Sequence, residues 1–227
     1  MDTIPTSLPA VTVDLAFLHL VVSQVCHDLV SPIGAVNNGV ELIEELGANP
    51  DSEAFSLIAQ SGQAAAAKLQ CFRLAWGRAG SSSDTRLADV RQVLIDYFAG
   101  ETRVDLQWTA DPIADGLDYA PGALQLLLNA VLAIAQTLTR GGRVTVTLEP
   151  TDSGAPFLVE AAGQNLRVPE TLPDLLAGRG RLTLDHRSVA ACFASILGRA
   201  LGVPLTVTQS SPDVVKLAGR LPILSFP

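Results

Sequence analysis

The chain has 227 residues, 48% of them hydrophobic and only 17% charged, with a formal net charge of −8. That is enough apolar material for one large or two modest domains, and a surface so poor in charge suits partial burial in a partner or second subunit. The acidic balance, without a basic stripe, argues against nucleic acid, and three widely spaced cysteines (Cys26, Cys71, Cys192) without a CxxC read as small buried hydrophobes in a reducing compartment.

The first dozen or so residues read as a frayed tail, acidic and Pro-containing, with no basic region of the kind that opens a signal peptide. From 13 to 46 runs one long helical pattern. Leu18, Val22, Val25, Leu29, Ile33, Val36, Val40 and Ile43 recur at spacings of three and four and form an apolar stripe. Gly47-Ala48-Asn49-Pro50 predicts a short turn, with Asp51 or Ser52 as the cap of the next helix. A second helical pattern runs from 51 to 76 on Phe55, Ile58, Gly62, Ala65, Leu69, Phe72 and Trp76, with Gly62 and Ala64 to Ala67 small enough for close helix approach. Two long helices joined by a tight turn make an antiparallel hairpin. Two helices alone leave such stripes partly uncovered, and a second copy of the hairpin is the simplest cover, so a dimeric four-helix bundle is expected.

Gly80 to Asp84, with three serines in a row, is the linker candidate and sets the expected division into domains 1–80 and 81–227. Beyond it the pattern alternates. Residues 85–98 predict a helix, 104–109 a strand, 121–138 a strong helix with Pro121 at its start, and 143–148 and 157–161 strands. Residues 188–201 predict a further helix, with 205–209 and 214–221 as a closing pair of strands. The fold class is therefore α+β: a helical hairpin followed by an α/β sandwich with three helices on one face of a mixed sheet. The most membrane-like window, 122–138, carries Gln125, Asn129 and Gln136 and falls short of a span, so a buried helix and a cytoplasmic protein are expected.

At about 100° per residue, His27 lies almost half a turn from the centre of the apolar stripe. Ser23, Gln24, Ser31, Gly34 and Asn38 share its outward side. That arrangement is a smooth, small-residue platform carrying one nucleophile. Imidazole suits phosphoryl transfer because it is substantially neutral and nucleophilic near neutral pH, and the loose transition state rewards positioning over strong activation. Asp28 is placed to orient the ring through its other nitrogen, and Ser31, one turn on, to contact a phosphoryl oxygen or water. Pro32 removes a backbone donor just below and loosens the helix. Ser23, Gln24, Gly34 and Asn38 are the expected docking contacts for a partner. An isolated helical histidine is ordinarily just a surface residue; the combination on one outward face is what singles this one out. His19 lacks an acidic neighbour, and His186, in Asp185-His186-Arg187, begins a helix of the second domain.

The run Cys26-His27-Asp28-Leu29-Val30-Ser31-Pro32-Ile33 resembles the phosphoacceptor box of sensor histidine kinases, with His27, Asp28 and Pro32 at the matching positions and Val30 where those kinases usually carry a basic residue. With the Asn37-Asn38-Gly39 next along the chain, the sequence resembles the ChpT family of histidine phosphotransferases. The resemblance implies a phosphorelay carrier that takes phosphoryl from the phospho-aspartate of a receiver domain, on an upstream hybrid kinase, onto His27 and passes it to downstream response regulators. It further implies a dimerisation hairpin and a degenerate kinase-type ATPase domain. In that second domain Asn129 stands where the magnesium-binding asparagine of kinases would be. Where kinases carry Asp-x-Gly-x-Gly, this chain has Glu160-Ala161-Ala162-Gly163-Gln164-Asn165, without the adenine-reading Asp. Gly178-Arg179-Gly180 is too short for a phosphate loop. No cofactor is therefore expected in this chain, Mg2+ being needed only on the receiver, and Asn129 is expected to satisfy a neighbouring backbone group instead. The rivals are a divergent histidine kinase, which the absent Asp disfavours, and a non-catalytic module that grips a kinase or receiver, which would not be phosphorylated on His27.

Overall fold

The protein is described here by a computed structural model covering residues 15–46, 53–81, 85–100, 103–179 and 188–225. Helix α1 (Leu15–Leu46) runs unbroken through Pro32 and pairs with α2 (Glu53–Ala75) as the expected hairpin. The predicted turn at 47–50 and the cap at Asp51 or Ser52 lie outside the described residues. The close approach of the two helices occurs at Gly39, not at Gly62. A Cβ on Gly39 would sit 2.6 Å from Cγ1 of Ile58, whereas one on Gly62 would meet nothing within 4 Å. The apolar stripe of α1 is split accordingly. Val25, Val36 and Ile43 are half-buried, while Leu18, Val22, Ile33 and Val40 stay exposed, as do Phe55, Leu57 and Leu69 on α2.

The second unit is built on a five-stranded sheet in the order β1-β3-β4-β6-β5: β1 (Val104–Ala110), β3 (Gly142–Leu148), β4 (Ala155–Ala162), β5 (Thr206–Ser211) and β6 (Val214–Leu221). β1 and β3 are parallel, as the intervening helix α4 (Ala123–Ala135) requires, and the other pairings are antiparallel. Burial alternates along β3, β4 and most of β6, so Val144, Val146, Phe157, Val159, Val215 and Leu217 face the helices. The opposite face is polar and carries the Lys216–Glu160 and Arg143–Asp105 ion pairs. Helices α3 (Leu87–Ala99), α4 and α6 (Val189–Ala200) form the covering layer, with α4 at its centre.

Features not expected include a short helix α5 (Leu172–Leu176) and a two-stranded pair of β2 (Asp118–Tyr119) with β7 (Ile223–Ser225). Both are too short to show a period. The expected membrane-like window is the buried α4, while among the described residues α1 is long and apolar enough, by length and composition, to cross a membrane.

The predicted linker also differs from expectation. Arg78–Ser81 forms a 3₁₀ turn, Gly80 is buried, and a Cβ there would collide with the Leu74 carbonyl. Residues 82–84 lie outside the described residues. The C-terminal end of α2 is part of the main core, through Cys71 and Ala75. Aromatic contacts extend the junction: Phe72 stacks on Trp76 with centroids 4.5 Å apart, Trp76 lies 6.2 Å from Phe193 of α6, and Phe193 is 5.2 Å from Phe17 of α1.

Candidate active site

His27 projects from the middle of α1 with 71% of its side chain exposed. Its Nδ1 lies 3.0 Å from Oδ1 of Asp28, whose side chain is only 16% exposed. The other carboxylate oxygen, Oδ2, accepts a 2.5 Å hydrogen bond from Nε2 of Gln24, one helical turn earlier. An ionised carboxylate can only accept. The neutral ring therefore carries its proton on Nδ1, and Nε2 bears the nucleophilic lone pair. Pro32 contributes from below: lacking an N–H, it leaves the Asp28 carbonyl without its in-helix donor.

The expected platform divides on inspection. Ser23, Ser31 and Asn38 are exposed and Gly34 is half-buried, and a Cβ on Gly34 would meet nothing within 4 Å. Gln24 departs from expectation: only 7% of it is exposed. Helical geometry puts it at the margin of the His27 face. Gln24, His27 and Asp28 line a cleft of about 440 Å³ together with Trp76, Gln136, Thr139 and Arg167. Ser31 opens onto a separate groove of about 920 Å³ with Pro32, Ala35, Ala64 and Ala67. His19 is exposed on α1, and His186 lies outside the described residues.

Asn129 is fully buried in α4 and all its side-chain polar atoms are engaged. Its Oδ1 accepts the Trp76 indole N–H at 3.0 Å, and its Nδ2 donates to the carbonyls of Ala75 at 2.8 Å and Gln125 at 2.9 Å. Gln125 joins it, donating to the carbonyls of Ala75 and Gly77 at 3.0 and 3.1 Å. Two α4 amides thus satisfy carbonyls at the end of α2 that its own helix cannot reach. The backbone-satisfying role expected for Asn129 is the observed one.

After β4, the Gly163 N–H donates to the Asp213 carbonyl, the Asn165 N–H to Asp213 Oδ1 at 2.8 Å, and the Arg167 N–H to the Thr137 carbonyl at 3.0 Å. These donors serve the loop itself. Glu160 pairs with Lys216 at 2.8 Å.

Residues 87–213 match the family model described as the histidine phosphotransferase C-terminal domain. The chain is 34% identical over 213 residues to the protein phosphotransferase ChpT of Brucella abortus (strain 2308), covering 92% of this chain and 98% of that protein. A solved structure of a bacterial phosphotransferase superposes with a TM-score of 0.75 at 31% identity, covering 94% of this chain and all of that one. A mycobacterial sensor histidine kinase, MprB, gives a TM-score of 0.46 at 17% identity, over 62% of this chain and 97% of that one. The hairpin with its outward histidine, the α/β unit packed against it and the two phosphotransferase relatives together establish that the chain belongs to the ChpT family of histidine phosphotransferases, which act in two-component phosphorelays.

Proposed function

We propose that His27 is the phosphoacceptor of this phosphotransferase. The observation that carries the reading is the 3.0 Å contact between Asp28 and Nδ1 of a histidine that is itself largely exposed. In the forward step Nε2 attacks the phosphorus of a receiver's phospho-aspartate. The N–P bond forms as the aspartyl O–P bond breaks, and the receiver's carboxylate departs. The ring keeps its Nδ1 proton, and the positive charge it gains is compensated by Asp28. The reverse sequence loads the aspartate of a second receiver. Mg2+ belongs to the receiver on this reading. Ser31, at i+4 from His27, is close enough along the helix to contact a phosphoryl oxygen.

The docking face is read as Ser23, Gly34 and Asn38 around His27, where small side chains leave room for a receiver surface. The donor is a receiver domain such as an upstream hybrid kinase carries, and the acceptors are response-regulator receivers. The second unit works without ATP. Its Asn129 is committed to Trp76 and Ala75, its loop donors to Asp213 and Thr137, and the Asp that reads adenine in kinases is missing. We read it as a rigid wall of the His27 cleft rather than a phosphate donor.

The exposed apolar side chains of α1 and α2 are read as the seam of a homodimer, a four-helix bundle formed from two hairpins. That seam is also our reading of the apolar length of α1: Gln24, Asp28 and Asn38 interrupt it with polar groups that a helix–helix contact can leave on its outer sides. The three free cysteines fit a cytoplasmic protein. The test is incubation with a phosphorylated receiver, which should label His27 alone.

A further inference from the structure

We infer that Gln24 is a positioning residue of the phosphotransfer step, acting through Asp28 on His27, and not a contact for the receiver. The inference rests on His27 being the acceptor. Gln24, Asp28 and His27 form one continuous relay: Nε2 of Gln24 to Oδ2 of Asp28 at 2.5 Å, then Oδ1 of Asp28 to Nδ1 of His27 at 3.0 Å. Exposure rises along it, from a buried Gln24 through a half-buried Asp28 to an exposed His27. A residue so covered presents almost nothing to a docking protein, whereas its amide is in direct contact with the carboxylate that faces the nucleophile.

The orientation of the Gln24 amide is specified. Its Oε1 is buried and has no hydrogen-bond partner among the described residues. A half-turn of the amide would bring that oxygen against the Asp28 carboxylate, two acceptors face to face. The side chain therefore leaves Oε1 unsatisfied to keep Nε2 on Asp28. A buried acceptor without a donor is unfavourable, and such groups are rare away from working sites. The consequence for Asp28 is a single side-chain orientation, because one oxygen is held by Gln24 while the other faces the imidazole. Without that hold the carboxylate can swing toward water, and the ring would populate both tautomers. Only the Nδ1–H tautomer exposes a lone pair on Nε2 for attack.

The prediction is tested in the full-length protein with Gln24→Met, which keeps an unbranched side chain of similar size but cannot donate a hydrogen bond. Transfer from a phosphorylated receiver is measured against receiver concentration, and the His27 tautomer by 15N NMR. We expect the saturating rate to fall about tenfold, as losses of an orienting partner do. The half-saturating receiver concentration should stay unchanged, and the spectrum should shift from Nδ1–H to a mixture. An unchanged saturating rate, with or without a raised half-saturating concentration, would overturn the inference, as would a wild-type tautomer. If Gln24→Met fails to fold by circular dichroism, Gln24→Leu is read in the same way, because it too is close in size and cannot donate a hydrogen bond. Mapping the phosphate in the wild type separates the two levels. Label on a residue other than His27 defeats the acceptor assignment, whereas label on His27 with an unaffected Gln24→Met defeats only the role of Gln24.

Discussion

Oδ1 of Asn129 accepts the indole N–H of Trp76 at 3.0 Å, joining the centre of α4 to the end of α2. This asparagine holds the hairpin to the α/β unit. Asn129→Ala would leave the Trp76 N–H and part of the Ala75 carbonyl's bonding unsatisfied in a buried site. Each such loss costs about 1–3 kcal/mol, and a total destabilisation of roughly 2–4 kcal/mol is expected by chemical denaturation. Trp76 emission should shift to the red, and an unchanged unfolding midpoint would contradict the latch.

Val22 is 53% exposed in the single chain and faces away from the His27 side of α1. Val22→Asp should therefore leave the subunit folded but place an uncompensated charge in the proposed seam, where burial is strongly disfavoured. Light scattering should report a wild-type dimer and a monomeric or much weaker-associating variant. A stable wild-type monomer would refute the four-helix-bundle reading.

The thiols should react in two classes. Cys26 is exposed beside His27, whereas Cys71 and Cys192 are buried. Burial pushes the Cys71 thiol up to about 12 and raises that of Cys192. The sign comes from desolvation: the charged thiolate is disfavoured, so at pH 8 the thiolate fraction of Cys71 is on the order of one in ten thousand. A chromogenic disulfide reagent should titrate one thiol quickly in the native protein and all three after denaturation. Rapid native labelling of Cys71 would contradict the packing of α2 into the core.

How much of this could be read before the fold was known depends on where the information resides. The stripes of α1 and α2 and the alternation in β3 are local patterns, and those elements formed where their periods placed them, whereas α4 is shorter than its 121–138 window: Pro121 lies in the turn before the Gly122 cap and the helix ends at Ala135. The His27–Asp28 pair was legible because residues adjacent in the sequence meet without any tertiary partner. Gln24 was misplaced because its burial arises from tertiary packing, whereas helical angle alone leaves it on the rim of the open face. The register of the hairpin was not legible either: it sets Gly39 of α1 against Ile58 of α2 and leaves Gly62 of α2 facing open space within the single chain. Gly80 reads as linker composition, but its lack of a side chain serves close packing beneath Leu74.

Gly34 offers a test of the docking face. Open space surrounds its missing Cβ, so Gly34→Arg adds a long charged side chain near His27 without touching the core. Replacing an interior helical glycine should leave stability unchanged or raise it by up to about 1 kcal/mol. Transfer from and to receivers should slow several-fold or more, while labelling by phosphoramidate, a small donor, persists. Loss of both together would place the defect in the helix and not in docking.

The most direct measurement tracks phosphoryl from a labelled receiver domain onto this chain. Acid-labile, base-stable label is expected on the wild type, recovered as the isomer phosphorylated on Nε2 of His27. Gln or Ala at position 27 should abolish it with no change in the unfolding transition, since the side chain is exposed. Retained labelling in the His27→Gln protein, or an unlabelled wild type facing an active phosphorylated receiver, would contradict the assignment of His27 as the phosphoacceptor.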